Sequence, residues 1–146
     1  VNIETAGLGA VEGVCALLRG QYAEHEISIS DDVLVRAVQG LVGEVGRGVI
    51  LVAREGEALL GVAVLATTWT LEHGGLVAWL DELYVVPARR GNGIGEALLD
   101  AALSAARGVG ALAIELEVEE SHSRASHLYE RAGFSPLNRA RWSLRL

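Results

Sequence analysis

The sequence predicts a mixed α/β (α+β) domain, and three observations carry that prediction. Two β-prone runs in the first half are joined by a tight turn at Glu55-Gly56-Glu57. A later apolar run, Leu80 to Val86, meets a helical segment across the glycine-rich turn Arg90-Gly91-Asn92-Gly93-Ile94-Gly95. A third run, Ala111 to Val118, alternates in strand fashion and is followed by another helical segment. A hairpin followed by strand–helix–strand–helix is the order of a mixed central sheet flanked by helices.

The elements follow in chain order. Asn2–Thr5 reads as a short first strand, and Ala10–Arg19 and Asp31–Leu41 have helical apolar spacing. Ser30 or Asp31 suits the second helix as its N-cap. Between them, residues 20–30 are polar and mixed. Gly48–Arg54 and Ala58–Thr68 are strands around the hairpin turn. A second turn, 71–75, leads into a strand over Leu76–Val86 that Pro87 ends. Then come a helix over Gly93–Arg107, a strand over Ala111–Val118, a helix over Ser123–Ala132 closed by Gly133, and a final strand around Arg141–Leu146. At 146 residues, with no low-complexity linker and no repeat, residues 1–146 are expected to form one domain.

Composition narrows the function classes. Hydrophobic residues make up 51% of the chain, yet no run approaches the ~18 apolar residues of a membrane span. No signal-like segment opens the chain, so a cytoplasmic protein without a membrane partner is expected. Cys15 is the only cysteine and cannot form an internal disulfide. His25, His73, His122 and His127 have no partner at triad or metal-ligand spacing, so no metal is expected. The net charge of −7 is uneven: residues 1–82 hold twelve acids and four arginines, residues 83–146 seven acids and eight arginines. An acidic first half suits an amine substrate and argues against nucleic acid.

The glycine turn is an anion cradle. Between strand and helix it presents free backbone N–H groups and the positive end of a helix dipole. Two common nucleotide loops fail on spacing. G-x-G-x-x-G/A puts Glu96 or Leu98 at its sixth position, and a P-loop needs a lysine that the chain lacks, all 12 basic residues being arginines. The pattern that fits is R-x-x-G-x-G at Arg90, Gly93 and Gly95, preceded by L-Y-V-x-P. It resembles the acetyl-CoA pyrophosphate loop of the GNAT superfamily of N-acetyltransferases. A second signature of that family, N-x-x-A-x-x-L-Y-E-x-x-G-F, is matched at Ala125, Leu128, Tyr129, Glu130, Gly133 and Phe134. The departure is His122, which stands where the family usually has asparagine. Together the motifs cover residues 76–134.

The resemblance implies a GNAT fold with about six to seven strands, and acetyl-CoA as co-substrate. It implies cofactor contacts from Leu83, Tyr84 and Val85, from Arg90, Gly91, Asn92, Gly93, Ile94, Gly95 and Glu96 of the loop, and from His122 and Tyr129. The acceptor would be a small-molecule amine or a protein N-terminus or lysine, and the resemblance allows a homodimer. An ammonium must lose a proton before it attacks a thioester, so a base is expected. Glu117 is one candidate; it resembles the base of protein N-terminal alanine acetyltransferases, where a similar L-E-V precedes the L-Y. Glu82 is the rival; Asp81-Glu82 resembles an acidic pair in the diamine acetyltransferase branch. Adjacent strand residues point to opposite faces, so at most one of that pair would face a given cleft. The family's tyrosine, here Tyr129, would serve the departing thiolate as proton donor. Cys15 lies outside both motifs, which favours direct transfer over an acyl-enzyme. Trp69 and Trp79 flank the 71–75 turn and could line an acceptor pocket. The competing reading is a degenerate acetyl-CoA-binding sensor or interaction module.

Overall fold

A computed structural model describes residues 1–119 and 121–146. Strands β1 (Asn2–Thr5), β2 (Gly48–Glu55), β3 (Ala58–Thr70), β4 (Gly75–Val85) and β5 (Ala113–Leu116) form one sheet in the order β1-β2-β3-β4-β5. The first four are antiparallel neighbours, and β5 joins β4 in parallel. A parallel neighbour needs a crossover connection. Here that connection is α3 (Ile94–Gly108). Five strands among the described residues are fewer than the six to seven expected.

Helices cover both faces. On one, α1 (Val11–Glu24) and α2 (Asp31–Gly43) bury Val14, Cys15, Leu18, Leu34 and Val38 against Ile50, Val52 and Val62. On the other, α3 buries Leu98, Leu99 and Ala102 against Leu51, Ala63, Leu65 and Leu80. Each fully buried leucine contributes about 1.5–3 kcal/mol relative to exposure. The last helix, α4 (Ser123–Arg131), adds Leu128 and Tyr129 to this second core. As expected, Ser30 caps α2: its Oγ accepts from the backbone N–H of Val33 at 3.4 Å, and Asp31 and Asp32 sit in the first turn.

Two expectations are corrected. The first helix runs on to Glu24, five residues past Arg19, because Leu18, Gln21 and Tyr22 continue the buried stripe of Val11, Val14 and Cys15. The expected final strand is absent: Arg141–Leu146 pairs with no strand among the described residues, and Trp142, Leu144 and Leu146 lie exposed. Alternation alone does not make a strand without a neighbour to accept its ladder hydrogen bonds. The tail is tethered instead by ion pairs, Arg139 to Glu72 and Arg141 to Glu117, both at 2.8 Å.

One irregularity in the sheet positions the site. Along β4 the register with β3 runs Leu65↔Leu80 and then Val64↔Glu82, which leaves Asp81 as an extra residue. Such a bulge breaks the strict alternation of side chains. Ala78 and Leu80 pack on the α3 side, whereas Tyr84 packs on the α1 side and Glu82 meets Tyr22 of α1. Without the bulge, Glu82 would follow Leu80 into the apolar core under α3.

Candidate active site

The glycine turn leaves backbone donors unused at the start of a helix. Gly91 and Gly93 adopt left-handed φ values of +79° and +78°, which only glycine reaches at little cost. These values swing the chain from β4 into α3. Among the described residues, no protein acceptor takes the backbone N–H groups of residues 91–96; the first bond of the helix start is Ala97 N–H to Gly93 O at 3.0 Å. A Cβ at Gly93 would meet no atom within 4 Å, so the loop is open on that side. Six donors at the start of a 15-residue helix fit a pyrophosphate.

Neither neighbouring arginine stands free beside that loop. Arg89 forms a two-pronged pair with Glu55, both contacts at 2.7 Å. Arg90 donates to Val85 O and to both carboxylate oxygens of Glu24, each at 2.8 Å, and its guanidinium lies 5.4 Å from the Tyr84 ring centre. Tyr84 Oη also donates to Glu24, at 3.2 Å. Arg90 thus anchors the end of α1 to the loop and holds the Glu24 carboxyl below the usual carboxylate range. Asn92 donates its side-chain amide back to Arg89 O at 3.2 Å, which closes the turn.

Beyond the loop, β4 and β5 pair only from Val77↔Ala113 to Leu80↔Leu116, while β4 continues to Val85. Among the described residues, the edge of β4 at Leu83, Tyr84 and Val85 therefore has no strand beside it on the β5 side. Where the pairing stops, a cavity of about 420 Å³ is lined by Trp79, Leu80, Asp81, Glu117, Arg141 and Ser143.

The two candidate carboxylates have different surroundings. Glu82 is half-buried, accepts a 2.7 Å hydrogen bond from Tyr22 Oη, and faces the end of α1. Burial raises its carboxyl above the ordinary value and the charge of Asp81 adds to that; hydrogen bonds from Tyr22 and Gln21 pull the other way. Glu117 lies just past the end of β5, exposed and ion-paired to Arg141, whose guanidinium stacks 4.3 Å from the Trp79 ring centre. Asp81 lies apart from Glu82, on the cavity side, accepting from Trp79 Nε1 at 3.2 Å.

Tyr129 projects from α4 into the second core and meets Phe134 edge-on at 5.8 Å. Burial first, and then the Glu82 charge, push its phenol up to about 12. Of the two candidate carboxylates, Glu82 is the one whose charge acts on Tyr129, while Glu117 lines the neighbouring cavity. Cys15 is fully buried in the first core, and burial raises its thiol as well.

Tyr22 and Gln21 escaped the sequence reading because residues 20–30 look polar. The signal was present: both continue the three-to-four-residue spacing of the buried face of α1. The histidines also gain partners that their spacing hides. His73 Nε2 lies 2.6 Å from Glu115, and the His25 and His122 rings meet at 4.9 Å.

Comparison with known proteins agrees with this architecture. The sequence matches the Acetyltransferase (GNAT) family over residues 14–134. It is 33% identical over 124 residues to an aminoglycoside N(6')-acetyltransferase type 1 of Klebsiella aerogenes, covering 84% of this chain and 78% of that protein. Identity reaches 49% over 57 residues to a mycothiol acetyltransferase of Propionibacterium freudenreichii subsp. shermanii, covering 37% of this chain and only 18% of that longer protein. Among solved structures, an integron cassette protein from the mobile metagenome of Cole Harbour Salt Marsh superposes with a TM-score of 0.88 at 29% identity, covering 99% of this chain and 90% of that one. No helix among the described residues is long and apolar enough to cross a membrane. With the family matched across most of its length and the fold shared throughout, the chain belongs to the GNAT acetyltransferase family.

Proposed function

We propose that the protein is an acetyl-CoA-dependent N-acetyltransferase that acetylates a primary amine by direct attack in a ternary complex. The observation that carries this reading is Glu82, a half-buried carboxyl that accepts from Tyr22, is raised above its ordinary range by burial, and whose charge acts on Tyr129. When bound, acetyl-CoA supplies the acetyl thioester. The N–H groups of residues 91–96 would hold its pyrophosphate, and the unpaired edge of β4 at Leu83–Val85 offers backbone partners to an amide-bearing arm.

Glu82 takes the proton from the acceptor ammonium. A carboxyl raised by burial is a better base near neutral pH than an exposed one, because its proton affinity lies closer to the working range. Tyr22 orients the carboxylate by donating to Oε1. Tyr129 serves the leaving sulfur. With its phenol near 12 it is protonated at neutral pH, and full transfer to a thiolate of ordinary pKa about 8.5 is uphill. It therefore acts in the transition state as a hydrogen-bond donor to the developing thiolate.

Glu117 is the weaker candidate for the base because Arg141 already neutralises it. Among the described residues, Asp81 supplies the uncompensated carboxylate of the cavity it shares with Glu117, and a cationic acceptor would use the rest of it by displacing Arg141 from Glu117 and from the Trp79 ring. Polyamines and aminoglycosides fit that chemistry, the latter also being the substrate named for the Klebsiella aerogenes relative. The test is a screen of acetyl-CoA consumption across simple amines, polyamines, aminoglycosides and N-terminal peptides. Turnover with one class supports the proposal. Tight acetyl-CoA binding with no consumption across the whole panel overturns it in favour of a sensor.

A further inference from the structure

We infer that His25, Glu119 and His122 form a binding site for a divalent transition-metal ion such as Zn2+. One ligand atom from each of the three lies within 4.8 Å of the other two, the one such grouping of three among the described residues. The residues come from separate parts of the chain. His25 caps the C-terminal end of α1, and His122 precedes the first residue of α4. Glu119 is fixed beside His122 by a turn in which His122 N–H donates to Glu119 O at 2.9 Å.

The donor set is specific in kind. Two imidazoles and one carboxylate suit a borderline divalent ion, and three protein ligands leave a fourth tetrahedral position for water. The two rings already meet edge-on at 4.9 Å, and His122 Nε2 lies 3.9 Å from Glu119 Oε2. A tetrahedral zinc with bonds of about 2.0–2.1 Å needs its ligand atoms about 3.3 Å apart. His25 and Glu119 are exposed and His122 is half-buried, and small rotamer changes at these helix ends would bring the three ligand atoms to that spacing.

The position gives the ion a task. Glu24, next to His25, holds Arg90 at the start of the glycine loop. Arg124, two residues after His122, is the nearest side chain to Gly91, with Nη2 3.5 Å from where a Cβ would stand. A bound ion would pin the end of α1 to the start of α4 on either side of the loop proposed for acetyl-CoA. The site itself does not depend on the acetyltransferase reading.

The test is calorimetric titration of ZnCl2 into chelator-treated, tag-free protein, with Co2+ absorption as a second readout of tetrahedral coordination. The expected result is one site per chain with micromolar affinity or better. His25→Ala and His122→Ala should each weaken binding by about tenfold or more, Glu119→Gln by less. His73→Ala and His127→Ala should leave affinity unchanged, and circular dichroism should show all five variants folded. Absence of saturable binding overturns the inference. So does wild-type affinity in His25→Ala and His122→Ala, or a loss confined to His73→Ala, which would assign the ion to the His73–Glu115 pair.

Discussion

Tyr22 and Glu82 are sixty residues apart in the chain and meet in a 2.7 Å hydrogen bond, with the phenol donating to the carboxylate. The contact ties α1 to β4 and sets the environment of the carboxylate proposed as the base. It exists because the bulge at Asp81 turns Glu82 toward α1.

Replacing Glu82 by Gln should lower kcat by about 10²- to 10⁴-fold, the range for loss of a general base. The deficit should shrink as pH rises and the acceptor amine deprotonates unaided. Glu117→Gln should leave kcat within a few-fold and act mainly on the acceptor KM. Steady-state kinetics from pH 6 to 10 separates them; pH-dependent rescue confined to Glu117→Gln would move the base there.

Tyr22→Phe removes one of the contacts that lower the Glu82 carboxyl and leaves burial, which raises it, in place. The folded-state pKa of Glu82 should therefore climb further. The acidic limb of the kcat/KM profile should move to higher pH, with a smaller loss of kcat on the plateau than Glu82→Gln causes. An unmoved limb means that the titration belongs to another group.

Tyr129→Phe keeps the ring and its contact with Phe134 but removes the hydroxyl. Acetyl-CoA affinity should stay near wild type while kcat falls by about 10- to 1000-fold. Turnover at the wild-type rate across the pH range would make Tyr129 a packing residue.

Gly93→Asp and Gly61→Ala should fail in different ways. A Cβ at Gly93 meets open space, so the fold should survive, although the left-handed φ adds some strain. The added carboxylate repels phosphate, and acetyl-CoA affinity should drop more than tenfold, or about 1.4 kcal/mol. At Gly61 a Cβ would stand 2.7 Å from Tyr84 O and 2.9 Å from Leu98 Cδ1, inside the central sheet. Gly61→Ala should cost about 1–3 kcal/mol by overpacking. Calorimetric binding and thermal unfolding distinguish the two effects.

The local elements were legible where period and punctuation agree. Ser30 caps α2, Gly56-Glu57 turns the hairpin, and the glycines between β4 and α3 make the turn into the helix, because each rests on a residue whose own chemistry favours that backbone. The motifs around Arg90 and Tyr129 were likewise enough to point to the family. Non-local contacts decided the rest. Nothing in the alternation of Leu80-Asp81-Glu82 announces the bulge, since a bulge forms where β4 must fit the register of β3. The end of the chain alternates like a strand, yet its arginines find Glu72 and Glu117 instead of a ladder. The choice of Glu82 over Glu117 as proposed base, and the meeting of His25 with His122, depend on residues about sixty or more positions apart being brought together. Sequence spacing encodes which residues share an element; burial and electrostatic environment arise only when elements pack, and those set the chemistry of a carboxylate.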